Sequence, residues 1–148
     1  MADRATIANA LRLANGCASD TRLLADQGSR NAAYLAEQAL EQVTRAIATS
    51  EGIHISRSDA HQLDKLVRQL PDEHAEKATL SGLTWLEAYA TTFRYTLPSG
   101  QIPRAPEPKK LLQAIAALDE LVERAAHHFD VALRDDTREA GRATPMRK

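Results

Sequence analysis

Apolar residues recur along this chain at intervals of three and four, the period of an α-helix buried on one side. The spacing predicts a first helix over about Asp3 to Gln27, with Ile7, Leu11, Ala14 and Ala18 in one stripe and Leu24 extending it. Gly28 stops this helix, and Ser29 is placed to cap the next. The second helix, about Arg30 to Ser50, carries Ala33, Ala36, Leu40, Val43 and Ile47 on its buried side. The small Ala33 and Ala36 allow a neighbouring helix close approach. Glu37 and Glu41 are expected to face away or sideways, with Glu41 and Arg45 forming a favourable i,i+4 pair. Gly52 ends the helix.

A short third helix is capped by Ser58 or Asp59, buries Leu63, Leu66, Val67 and Leu70, and closes at Pro71. Asp72 then caps a fourth helix reaching about Tyr95, with Leu80, Leu83, Leu86 (or Trp85), Ala90 and Phe93 inward. The run TLPSGQIPRAPEP, residues 96–108, is the one long loop. The fifth helix starts near Pro108, and its stripe is Leu111, Ile115, Leu118, Val122, Ala125, Phe129 and Ala132. Beyond Arg134 the chain turns polar, which predicts a frayed end and a disordered tail over 135–148. No sustained strand-like alternation and no fixed-period repeat interrupts this pattern. The expected fold is all-α: an antiparallel, up-and-down bundle of four or five helices in a single domain over 1–134.

Composition agrees with that reading. The chain has 148 residues, enough for one domain with its own core, and 43% of them are hydrophobic but only 4% aromatic. Ala and Leu dominate the apolar share, which favours helices over a sandwich or barrel. A formal net charge of -1 excludes binding of nucleic acid by a global basic field, so any polyanion site must be a local patch. Cys17 stands alone and closes no internal disulfide; it reads as a small apolar residue on a helix. The N-terminus MADRATIANA lacks the apolar core of a signal peptide, and the apolar stretch near Leu111 to Leu118 is too short and polar to span a membrane. A cytoplasmic setting is expected.

Several chemistries find no pattern. Glu51 and His54 have the Glu-x-x-His spacing of a di-iron bundle, but Gly52 lies between them at a helix end and no second copy exists. No zinc pattern and no phosphate-cradling Gly-rich loop is present, so neither metal nor cofactor is expected. His127 and His128 are adjacent on the last helix, which predicts one at the core edge and one in solvent. The loop before that helix is more suggestive. Arg94, Arg104, Lys109 and Lys110 bracket it, and Lys109 and Lys110 lie at a helix N-terminus, where the macrodipole disfavours cations. A bound anion makes that arrangement favourable; otherwise it is a solvated charged loop partly offset by Glu107.

Three stretches in order carry a family resemblance. They are the helix AAYLAEQALEQVTRAIATSEG with its core Ala36, Glu37, Gln38, Ala39, Leu40 and Glu41; then His61 and Leu63 opening the next helix; then Arg94 and Tyr95 before the Pro-containing loop. In order and spacing the chain resembles the HEPN domains (higher eukaryotes and prokaryotes nucleotide-binding) over roughly Asp3 to Leu133. The resemblance implies a helical bundle that pairs as a homodimer, often partnered by a minimal nucleotidyltransferase in toxin–antitoxin-type systems. Active members cut RNA without metal, using an Arg-x4-6-His motif at the start of the last long helix.

This chain departs from the family at that motif. Arg94 stands near the expected Arg, but no His follows it at the required distance. The one Arg-x5-His, Arg68 to His74, spans the helix break at Pro71, so these two are weak catalytic candidates. The resemblance therefore implies a non-catalytic binding module for nucleotide, RNA or a nucleotidyltransferase partner. Its ligand-binding residues would be His61, Arg94, Tyr95, Arg104, Lys109 and Lys110. The rival readings are a metal-independent endoribonuclease and a purely structural dimerisation domain.

Overall fold

The computed structural model describes residues 4–56 and 62–134. His61, the Ser58 and Asp59 caps, and the tail over 135–148 lie outside the described residues. What is described is all-α: five α-helices and two 3₁₀ segments, with no strand among the described residues.

Three long helices make the frame: α1 (Arg4–Asp26), α2 (Asn31–Ser50) and α5 (Pro108–His128). The stripe Ile7, Leu11, Ala14 and Ala18 is buried as its spacing requires, and Thr21 continues it. α2 is the central helix and is buried nearly all round, with Ala32, Ala33, Ala36 and Ala39 letting its neighbours approach closely. The three long helices end alike. Ser29 N–H donates to Leu24 O (2.9 Å), Ile53 N–H to Ala48 O (3.0 Å) and Val131 N–H to Ala126 O (2.8 Å), around the left-handed residues Gly28, Gly52 and Asp130. This six-to-one closure recaptures carbonyls that a helix end leaves without partners. At Asp130, with φ 55, the motif is made without glycine and cuts α5 short of the stripe's last residue, Ala132.

α1 and α2 form an antiparallel hairpin. α5 runs antiparallel to α1: Arg12 Nε donates to Ala132 O (3.0 Å), and Arg22 pairs with Asp119 ten residues further along α1. α2 and α5 are therefore parallel, as the second and last legs of an up-and-down bundle are. The chain returns between them through short pieces: α3 (Leu63–Arg68), α4 (Lys77–Leu83) and the 3₁₀ segments Thr84–Tyr89 and Thr92–Arg94.

A continuous fourth helix from Asp72 to Tyr95 does not form. Asp72 caps nothing; it pairs with Lys77 Nζ (2.8 Å), which also takes Leu70 O (2.7 Å) at the end of α3. The helix starts only at Lys77. Past Gly82, Thr84 Oγ1 donates to Ser81 O (2.9 Å), a local bond that competes with the α-helical ladder, and the chain tightens to 3₁₀. The tighter winding still buries Leu86 and Phe93 and stacks Trp85, Tyr89 and Phe93 edge-to-face in succession.

Candidate functional site

Parallel α2 and α5 give the bundle two chemically different ends. Along α5, Lys109 and His127 are separated by about 27 Å of helical rise.

The first end holds the start of α2, the end of the second 3₁₀ segment, the Pro-rich loop and the start of α5. Arg30 organises it. Its guanidinium donates to Phe93 O (3.3 and 3.4 Å) and to Pro103 O (2.8 Å), and lies 4.0 Å from the centre of the Phe93 ring. Two segments ten residues apart thus pass the same cation, and each is followed at once by another arginine, Arg94 and Arg104. Arg94 sits over Tyr34 of α2 (4.9 Å) and Tyr95 (5.9 Å). Arg94, Arg104 and Tyr95 are exposed. Leu97 N–H donates to Gln101 O (2.8 Å) and Gly100 N–H to Leu97 O (2.7 Å), a tight turn that needs the left-handed Gly100, φ +81, and presents exposed Leu97 and Ile102 beside these arginines.

Lys109 and Lys110 stand on the first turn of α5 and are exposed, and Lys110 Nζ lies 4.2 Å over the Trp85 ring. The structure therefore anchors on Arg30 the two backbone segments that carry Arg94 with Tyr95 and Arg104. Lys110 takes a separate aromatic partner at the same end of α5. His61 lies outside the described residues. Tyr34 and Arg30 were not singled out in the sequence, because nothing local marks an arginine as a clamp for segments more than sixty residues away.

The second end holds a cavity of about 700 Å³ between the C-terminal turns of α2 and α5 and the turn before α4. His74 enters it. Its Nδ1 accepts from Glu76 N–H (3.1 Å), and its Nε2 lies 3.3 Å from Glu51 Oε1. Nδ1 as acceptor assigns the ring proton to Nε2, on the side of Glu51, and leaves no free lone pair on the ring for a general base. Arg68, its partner by sequence spacing, is elsewhere: it is exposed and pairs with Asp64 (2.8 Å). The guanidinium at the cavity is Arg124, which bonds both oxygens of Glu76 (2.9 and 2.9 Å). That double bond holds the Glu76 carboxyl below its ordinary range. His127 and His128 are both exposed and both line the cavity, which corrects the expectation of one at the core edge. His54 is an exposed loop residue. Among the described residues no group of three His, Cys, Asp or Glu side chains is placed to hold a metal ion.

A third feature lies inside the bundle. Glu37 and Glu41 do not face away; both are buried on α2, with Thr44 below them. Burial first, and then the neighbouring Glu41 carboxyl that shares a hydrogen bond with it, push Glu37 up to about 8. Gln38 Nε2 donates to Glu37 Oε2 (2.7 Å). Raised that far, Glu37 keeps its proton at neutral pH inside the bundle. Half-buried Cys17 feels the same environment: burial, then Asp20 and Glu37, raise its thiol.

The fold and these surfaces define the chain as an all-α helical bundle. No protein family, curated protein or solved structure matches it. Among the described residues no helix is long and apolar enough to cross a membrane.

Proposed function

We propose that this protein is a non-catalytic binding module that takes a nucleotide or single-stranded RNA at the Arg94 end of the bundle. The observation that supports the reading is the Arg30 clamp, which bonds the carbonyls of the residues just before Arg94 and Arg104, with Tyr34 and Tyr95 against Arg94. Guanidinium groups hold phosphate oxygens in pairs, and exposed tyrosine faces stack bases without regard to sequence. Lys109 and Lys110, set where the α5 dipole disfavours cations, gain from a bound anion. The HEPN-like order of segments points to the same class of ligand. Against ribonuclease chemistry, His74 spends Nδ1 on the Glu76 N–H and sets Nε2 3.3 Å from Glu51, while Arg68 pairs with Asp64 elsewhere.

The test is fluorescence anisotropy with a labelled single-stranded RNA at several salt concentrations. Binding is expected to weaken with salt, and removing Arg94 and Arg104 together is expected to lower the salt slope by about two ions. Salt-independent binding, or none, rejects the reading. A second reading, a protein partner such as a nucleotidyltransferase or a second copy of the chain, is favoured by one observation, the exposure of Tyr95, Leu97 and Ile102 on the same turn.

A further inference from the structure

From the opposite end of the bundle we infer a second ligand site: the cavity at the C-terminal turns of α2 and α5 takes a small organic amine, as its cation, with an aromatic or aliphatic body. The volume, about 700 Å³, is that of a small-molecule site.

Its charges select the sign of the guest. Glu51, Glu76 and Glu123 line it against one guanidinium, Arg124. That guanidinium is already used, bonded twice to Glu76 and 3.8 Å from Glu120. His74 offers a guest nothing, because its proton points to Glu51 and its lone pair to the Glu76 backbone. What remains for a guest is the carboxylates of Glu51, which lies against His74 through one oxygen, and of exposed Glu123, with the imidazoles of His127 and His128, counted neutral, beside them. An anion meets uncompensated negative charge here, and an ammonium meets acceptors.

The walls select the body. Ile47, Ala75 and Ala125 are apolar, and the rings of His128 and Phe129 meet edge-to-face, 4.8 Å apart, at the rim. Apolar walls with a few converging carboxylates suit a cation carried on a hydrophobic frame. This inference is independent of the RNA reading, since the two ends share no residue.

The test is isothermal titration of the full chain with tryptamine, indole and indole-3-acetate near neutral pH. Tryptamine is expected to bind at least about tenfold more tightly than either analogue. Glu51→Gln and Glu123→Gln are each expected to weaken it about three- to tenfold. Glu51→Gln also removes the charge that faces His74, so Glu123→Gln, at an exposed position, is the variant that tests charge without touching the fold. Arg94→Ala is expected to leave tryptamine binding unchanged. Equal affinity for the three compounds, preference for indole-3-acetate, absence of binding, or tryptamine affinity unmoved by Glu123→Gln overturns the proposal.

Discussion

Glu37 keeps its proton against Glu41, one helical turn away on the most buried helix of the bundle. The folded chain thus holds a proton that the unfolded chain releases near pH 4.5. Stability from this pair is complete below that pH and is lost as pH rises toward about 8, at up to about 1.4 kcal/mol per pH unit while only the folded state holds the proton. Glu37→Gln, which stays neutral and keeps the side chain's shape, is expected to flatten this dependence and to melt higher than wild type at pH 8. Thermal melts of both proteins between pH 5 and 9 check it; parallel curves rule the buried proton out.

Asp130 holds the left-handed position that glycine holds at the ends of α1 and α2. A non-glycine residue is strained there, so Asp130→Gly is expected to stabilise the protein by about 0.5–1 kcal/mol. Denaturant unfolding with an unchanged slope and a higher midpoint is the expected signature.

Arg30 joins the second 3₁₀ segment to the Pro-rich loop through three hydrogen bonds and the Phe93 ring. Arg30→Ala is expected to cost about 1–3 kcal/mol and to weaken RNA binding although Arg94 and Arg104 remain. Arg30→Lys is not expected to restore either property, because a point ammonium cannot reach both carbonyls and stack on the ring together. Amide hydrogen exchange at Leu97 and Gly100 reports the loosening of the loop; unchanged protection there shows that the loop is held by other contacts.

Arg124 and Glu76 link α5 to the turn that carries His74. The pair favours the ionised Glu76, so its contribution is present at neutral pH and fades as pH falls through the lowered carboxyl value. A double-mutant cycle with Arg124→Ala and Glu76→Gln is expected to give a coupling of about 0.5–1 kcal/mol at pH 7 and less in strong acid. A coupling equal at the two pH values contradicts the charged pair.

Most of the helical frame was legible because apolar spacing reports directly which side of a helix is buried. Ile7, Leu11 and Ala18 of α1, and Leu111, Ile115 and Leu118 of α5, are inside as their periodicity demands. The same rule misplaced Glu37 and Glu41. They share α2 with a row of alanines, and that helix is enclosed on several sides, so no polar face was left for them. It also joined α4 to the 3₁₀ segments, because Leu80, Leu83, Leu86 and Phe93 satisfy a helical period while the Thr84 hydroxyl redirects the local bonding. At the candidate RNA surface, Arg94, Tyr95 and Arg104 stood out by charge around prolines; Tyr34 and Arg30 join it only through contacts across the fold.

By itself, the order of residues determined an all-helical chain, the places where its first two long helices stop, and a basic, proline-rich connection ahead of the last helix. These depend on near neighbours: side-chain spacing, a glycine free to turn left-handed, a proline without a donor. Only the tertiary structure decided that α2 and α5 run parallel, that Glu37 keeps a proton beside Glu41 inside the bundle, and that His74 meets Glu51 while Glu76 meets Arg124 at a cavity. Those relations join residues distant along the chain, and their energies depend on distance and on exclusion of water, which exist only once the helices have packed.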